Sequence, residues 1–118
     1  MLFIEYPKCS TCIKAKKWLE DNNVDFIDRN IKIDNPTIEE LREWIKLSNL
    51  PFKKIFNTSG LLYKEYNLKD KLDLMSDEEK LELLSSNGML VKRPIIVEEN
   101  FVLFGFKQDE WLAKLIKR

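Results

Sequence analysis

The chain of 118 residues contains no histidine. That absence removes Ser-His-Asp and Cys-His nucleophile pairs and every His-ligated metal site. Glycine is also scarce, with three residues too scattered to build a phosphate-cradling loop. Charge of either sign is missing as an excess, since 20 Lys and Arg balance 20 Asp and Glu. A dedicated nucleic-acid binder would carry a basic surplus, so no direct nucleic-acid partner is expected. Long hydrophobic runs are absent too. The opening Met1-Leu2-Phe3-Ile4-Glu5-Tyr6 is interrupted by Glu5 and closed by Pro7, short of the about 7–15 apolar residues of a signal peptide. The expectation is a cytoplasmic protein with no membrane partner, in a compartment where a persistent structural disulfide is unusual. Glu78-Glu79 and the other carboxylates form no spaced acid/base pair. Chemistry is left to thiol, carboxylate, lysine and arginine.

What is present describes one globular domain over residues 1–118, with 44% hydrophobic and 34% charged residues. Leu2 to Tyr6 reads as a short buried strand. Ser10 to about Asn22 is helical, with Ile13, Ala15, Trp18 and Leu19 inward and Lys14, Lys16 and Lys17 on a solvated face. Asp25 to Ile31 is a second strand. Thr37 with Glu40, and Ser76 with Glu79, form capping boxes that open two further helices. Pro51 begins a short helical piece, Asn57-Thr58-Ser59-Gly60 is a turn, and Leu61 to Leu74 reads as short helical turns. Asn87-Gly88 is expected to end the second capped helix as a left-handed pair. Pro94 to Val97 and Phe101 to Phe104 are strands around the turn Glu98-Glu99-Asn100. Gln108 to Lys117 is a last helix with Trp111, Leu112, Leu115 and Ile116 inward. The order β-α-β, helices, β-β-α fits an α/β fold, one mixed four-stranded sheet with helices on both faces.

Cys9 and Cys12 are the two cysteines, spaced C-x-x-C at the junction of the first strand and first helix. Two cysteines placed at random in such a chain take this spacing roughly once in sixty, so a mechanism is called for. At a helix start, Cys9 faces unpaired backbone N–H groups and the positive end of the helix dipole. Those features, with Lys8 and Lys14 nearby, favour its thiolate. Cys12 lies one turn further in, within disulfide reach. This is the layout of a dithiol redox site in which Cys9 attacks and Cys12 resolves the mixed disulfide. Three other readings remain open from the residues alone: a zinc site completed by a second chain, a packed pair without chemistry, and a one-cysteine mechanism with Cys12 a spectator.

The segment Tyr6-Pro7-Lys8-Cys9-Ser10-Thr11-Cys12 with Lys14-Ala15-Lys16-Lys17-Trp18-Leu19-Glu20 resembles the arsenate-reductase-like family of ArsC, Spx and YffB proteins. The resemblance continues through Phe56-Asn57-Thr58-Ser59-Gly60, Gly88-Met89-Leu90-Val91-Lys92-Arg93-Pro94-Ile95 and Gly105-Phe106-Lys107. It implies a thioredoxin-like fold with a helical insertion at about residues 36–90. It also implies a redox activity with glutathione, glutaredoxin or thioredoxin as electron donor and no bound cofactor. Arsenate reductases of the family surround their oxyanion with three arginines. Here Arg93 matches one, while the others fall around Phe56-Asn57-Thr58 and Gly105-Phe106, with Lys107 offering a point charge instead of a planar fork. Arsenate is therefore not the expected substrate; a thiol or disulfide is. Spx-like members are redox-sensing regulators that bind the C-terminal domain of the RNA polymerase α-subunit, and this is the alternative reading. The loop Ser48-Asn49-Leu50-Pro51 lacks their glycine, and the sequence ends soon after its last helix. The chain resembles a third branch.

Arg93 and Pro94 carry two readings each. From the residues alone, Pro94 is a trans strand start and Arg93 a surface arginine. The resemblance implies a cis-proline wall facing the cysteines, with Arg93 beside Cys9. The candidate site is thus Cys9, Cys12 and Arg93 for catalysis, with Pro94, Lys8 and Lys107 for substrate binding. The aromatics Trp18, Phe26, Trp44, Phe52, Phe56, Phe101 and Trp111 are assigned to the core.

Overall fold

A computed structural model describes residues 1–117. β1 (Leu2–Glu5) lies at the centre of the sheet because its neighbours come from both halves of the chain. It pairs in parallel with β2 (Ile27–Asn30) and antiparallel with β3 (Ile95–Val97), which carries β4 (Val102–Phe104) antiparallel at the edge. The strand order is β2-β1-β3-β4. The parallel pair is joined by α1 (Ser10–Asp21), the crossover that a β-α-β unit needs.

Strand alternation divides the core. Phe3 and Ile96 face Ala15 and Leu19 of α1 and Trp111 and Leu115 near the C-terminus. Ile4 and Ile95 face the opposite layer, which includes α2 (Ile38–Ser48) and α5 (Asp77–Ser86). Between them run α3 (Leu61–Glu65) and α4 (Leu68–Lys71), with single 3-10 turns at Phe52–Lys54 and Leu72–Leu74, and a further one at Gly88–Leu90 follows α5. Both expected capping boxes close. Thr37 Oγ1 accepts from the Glu40 N–H at 3.1 Å, and Ser76 Oγ from the Glu79 N–H at 3.1 Å.

Three local expectations are corrected. Ile13 is 55% exposed, because α1 turns Cys12, Ala15 and Leu19 inward and residue 13 is about 100° off that stripe. The last helix, α6 (Gln108–Trp111), continues as a π turn over Leu112–Ile116. Trp111 and Leu115 are buried, but Leu112 is half-buried and Ile116 exposed, since Trp111 and Leu115, four residues apart, share the face turned to Phe3, and Leu112 and Ile116 each follow one residue further round. Asn87-Gly88 is not left-handed. Asn87 is extended and its side-chain oxygen accepts from the Met89 N–H at 2.9 Å, starting a new turn. Gly88 is required there for closeness instead: a Cβ would collide with the Ile31 carbonyl.

Candidate active site

Cys9 is the residue that caps α1. Its backbone is extended (φ −85°, ψ 123°), and its own N–H donates to the Tyr6 carbonyl at 2.9 Å, which turns the loop into the helix. No acidic residue occupies the first turn of α1, so the N-terminal dipole is left for the sulfur. Burial alone would push the Cys9 thiol up. The backbone N–H groups of Cys12 and Thr11, the Cys12 side chain and the Arg93 charge outweigh it, and the thiol lies below its ordinary value. Cys12 is fully buried and pushed up to about 12, first by desolvation and then by its contact with Cys9. One spacing motif thus yields two thiols of opposite character. Both are free.

Arg93 is held loosely. Its Nη1 donates to the Met89 and Val91 carbonyls at 3.4 and 3.5 Å, and its buried Nε–H has no partner among the described residues. The guanidinium carbon sits 5.5 Å from the centre of the Tyr6 ring, a cation–π geometry. The peptide bond between Arg93 and Pro94 is cis.

Cys9 and Arg93 open on a cleft of about 740 Å³. Its two sides are tied by backbone bonds. The Asn57 N–H donates to the Leu90 carbonyl at 2.8 Å and the Lys92 N–H to the Ile55 carbonyl at 2.7 Å. The far end is set by Gly105, whose φ of +83° suits glycine and whose carbonyl accepts from the Trp111 indole N–H at 3.1 Å. Cys9, Arg93 and Lys107 line the cleft. Cys12 is buried behind it, while Pro94 is buried and Lys8 exposed, both outside the lining residues. The local pattern marks Asn57 and Ser59 as a turn, while the family resemblance sets Asn57 near a missing oxyanion arginine and Lys92 beside Arg93 where Spx-like members carry paired arginines. All three line the cleft, brought there by the pairing of residues 55–57 with 90–92.

Glu5, at the end of β1, is 3% exposed. Burial, and then the neighbouring Asp28 carboxylate, push it up to about 7. Its Oε2 has no hydrogen bond among the described residues and lies 3.6 Å from Lys16 Nζ, which donates to Asp28 Oδ2 at 2.8 Å. Burial raises Asp28 too, but the hydrogen bonds from Glu5 and Lys16 bring it below its usual range. A protonated Glu5 donating to an ionised Asp28 accounts for both directions.

The sequence model of the ArsC family matches residues 4–114. The chain belongs to the ArsC family. It is 49% identical over 111 residues to the Bacillus subtilis (strain 168) protein YusI, covering 94% of each chain. It is 30% identical over 104 residues to the global transcriptional regulator Spx 1 of Bacillus cereus, covering 88% of this chain and 78% of that one. Among solved structures, an ArsC family related protein from Bacteroides fragilis superposes with a TM-score of 0.93 at 59% identity, covering 95% of this chain and 94% of the other. The α/β sheet and its helices are those of this family.

Proposed function

We propose that this ArsC-family protein is a cytoplasmic thiol–disulfide oxidoreductase in which Cys9 is the nucleophile and Cys12 the resolving thiol. The observation that carries the reading is the asymmetry of the pair: Cys9 opens on the cleft with a lowered pKa, and Cys12 is buried one turn behind with a raised one. The Cys9 thiolate attacks a substrate disulfide, forming a Cys9–S bond as the substrate S–S bond breaks and the first substrate thiol leaves. The Cys9 charge then disappears, and with it the part of the Cys12 elevation that Cys9 causes. Cys12 loses its proton, attacks the Cys9 sulfur and releases the second thiol. The protein has given two electrons and holds a Cys9–Cys12 disulfide, which glutathione, a glutaredoxin or a thioredoxin reduces again.

Arg93 favours the thiolate through its charge. Arsenate suits this site poorly, because one guanidinium and lysine point charges do not supply the charge-assisted forks that a tetrahedral dianion needs. The similarity to Spx 1 supports a second reading, a redox-sensing regulator that contacts the RNA polymerase α-subunit. Reacting a reduced Cys12→Ser variant with a small disulfide separates the outcomes. A mixed disulfide on Cys9 that persists in the variant, and collapses to an internal disulfide in the wild type, is expected. A Cys9→Ser variant that reacts equally well would overturn the assignment. Retention of the polymerase α-subunit without turnover of any disulfide would favour the regulator.

A further inference from the structure

We infer that the cleft selects organic disulfides whose flanking groups are carboxylates. The inference rests on the oxidoreductase reading and names its substrate class. Size is the first observation. At roughly 30 Å³ per water molecule, about 740 Å³ holds the equivalent of some 25 waters. A small inorganic anion fills a minor part of that, whereas the volume is typical of organic-ligand sites. The lining is the second. Leu62, Met89, Phe104 and Phe106 give an apolar wall on which a carbon skeleton can rest.

Charge is the third observation. Lys92, Arg93 and Lys107 line the cleft against a single carboxylate, Glu65. The chain as a whole has no net charge, with 20 cations and 20 anions, so this excess is local and not a by-product of a basic protein. Among the described residues none of the three cations takes part in an ion pair. The Lys92 and Lys107 side chains donate no hydrogen bond there, and Arg93 makes only two long ones. Lys92 is also positioned: its aliphatic arm runs across Gly105, which has no Cβ to push it away. Three cations outside any ion pair of the described residues, lining the same cleft as the attacking thiolate and an apolar wall, match a carbon-framed disulfide ending in carboxylates. They disfavour a cationic one.

The test uses the pre-reduced full chain in a single turnover, so no electron donor is needed. Three probes differ in charge: 3,3′-dithiodipropionate (dianion), bis(2-hydroxyethyl) disulfide (neutral) and cystamine (dication). The rate of Cys9 consumption is followed by mass spectrometry for the wild type, Lys92→Glu/Lys107→Glu and Lys92→Gln/Lys107→Gln. Comparing proteins rather than probes cancels the different basicities of the leaving thiols. The dianion-to-neutral rate ratio is expected to fall about tenfold in the Glu pair, at the low end of electrostatic steering. The dication-to-neutral ratio should rise, the Gln pair should lie between, and about 0.5 M salt should compress all these differences. If the Glu pair does not fold, the Gln pair still carries the comparison. Ratios that stay unchanged, or three probes that shift in parallel, would mean that the lysines act on the thiolate alone, and would overturn the inference. Failure of wild-type Cys9 to react with any probe would instead overturn the oxidoreductase reading beneath it.

Discussion

Replacing Glu5 by Gln should stabilise the protein in alkali and leave it unchanged in acid. Glu5 is buried in the sheet and its pKa rises from 4.5 to about 7 on folding. Between those values the unfolded chain has released the proton and the native one keeps it. Stability is therefore full below about 4.5 and lost as pH rises through about 7. At about 1.4 kcal/mol per pKa unit the displacement sets a ceiling near 3 kcal/mol. Asp28 shifts the opposite way and Lys16 partly neutralises the pair, so about 1–2 kcal/mol is expected for the net effect. Glutamine keeps a donor for Asp28 and never ionises. Urea unfolding followed by circular dichroism should show the midpoint of Glu5→Gln raised by about 1 M at pH 8.5 and unmoved at pH 4. An equal shift at both pH values would refute the reasoning, because it would show that the effect comes from packing and not from the proton.

Tyr6→Leu removes the ring beneath Arg93, so alkylation of Cys9 at pH 7 should slow by about 2–5-fold, while Tyr6→Phe keeps the wild-type rate. The same loss in both variants would rule out the cation–π contact. Gly88→Ala should cost about 2–3 kcal/mol in urea unfolding, because a methyl group there meets the Ile31 carbonyl backbone and not a movable side chain. Thr37→Ala should cost about 1 kcal/mol through loss of its cap, without altering Cys9 reactivity.

Local chemistry is what the sequence displayed best. The two capping boxes, the change of period from strand to helix and the place of Cys9 at a helix start could each be read within about seven residues, and each is found as expected. Contacts over longer separations were hidden. Lys92 and Asn57 line one cleft because segments 55–57 and 90–92 pair, and no local pattern encodes that pairing. Glu5 looked like a charge interrupting an apolar strand; its meaning depends on Asp28 and Lys16 arriving from β2 and α1. The apolar side chain of Ile13 suggests an inward position, yet the small residues Cys12 and Ala15 set the packed stripe. The Asn87-Gly88 pair suggests a conformational need, whereas the need at Gly88 is steric and arises from the Ile31 carbonyl brought beside it by the fold.

The central claim is that one cysteine is poised to attack and the other is held back. Competitive alkylation of the reduced chain with iodoacetamide, resolved site by site by mass spectrometry across pH 5 to 9, tests it directly. Cys9 should be modified first throughout, its rate rising with pH to a plateau below that of an ordinary thiol, while Cys12 stays unmodified until the fold is disrupted. Equal labelling of the two thiols in the native protein, or earlier labelling of Cys12, would contradict the assignment of nucleophile and resolving thiol.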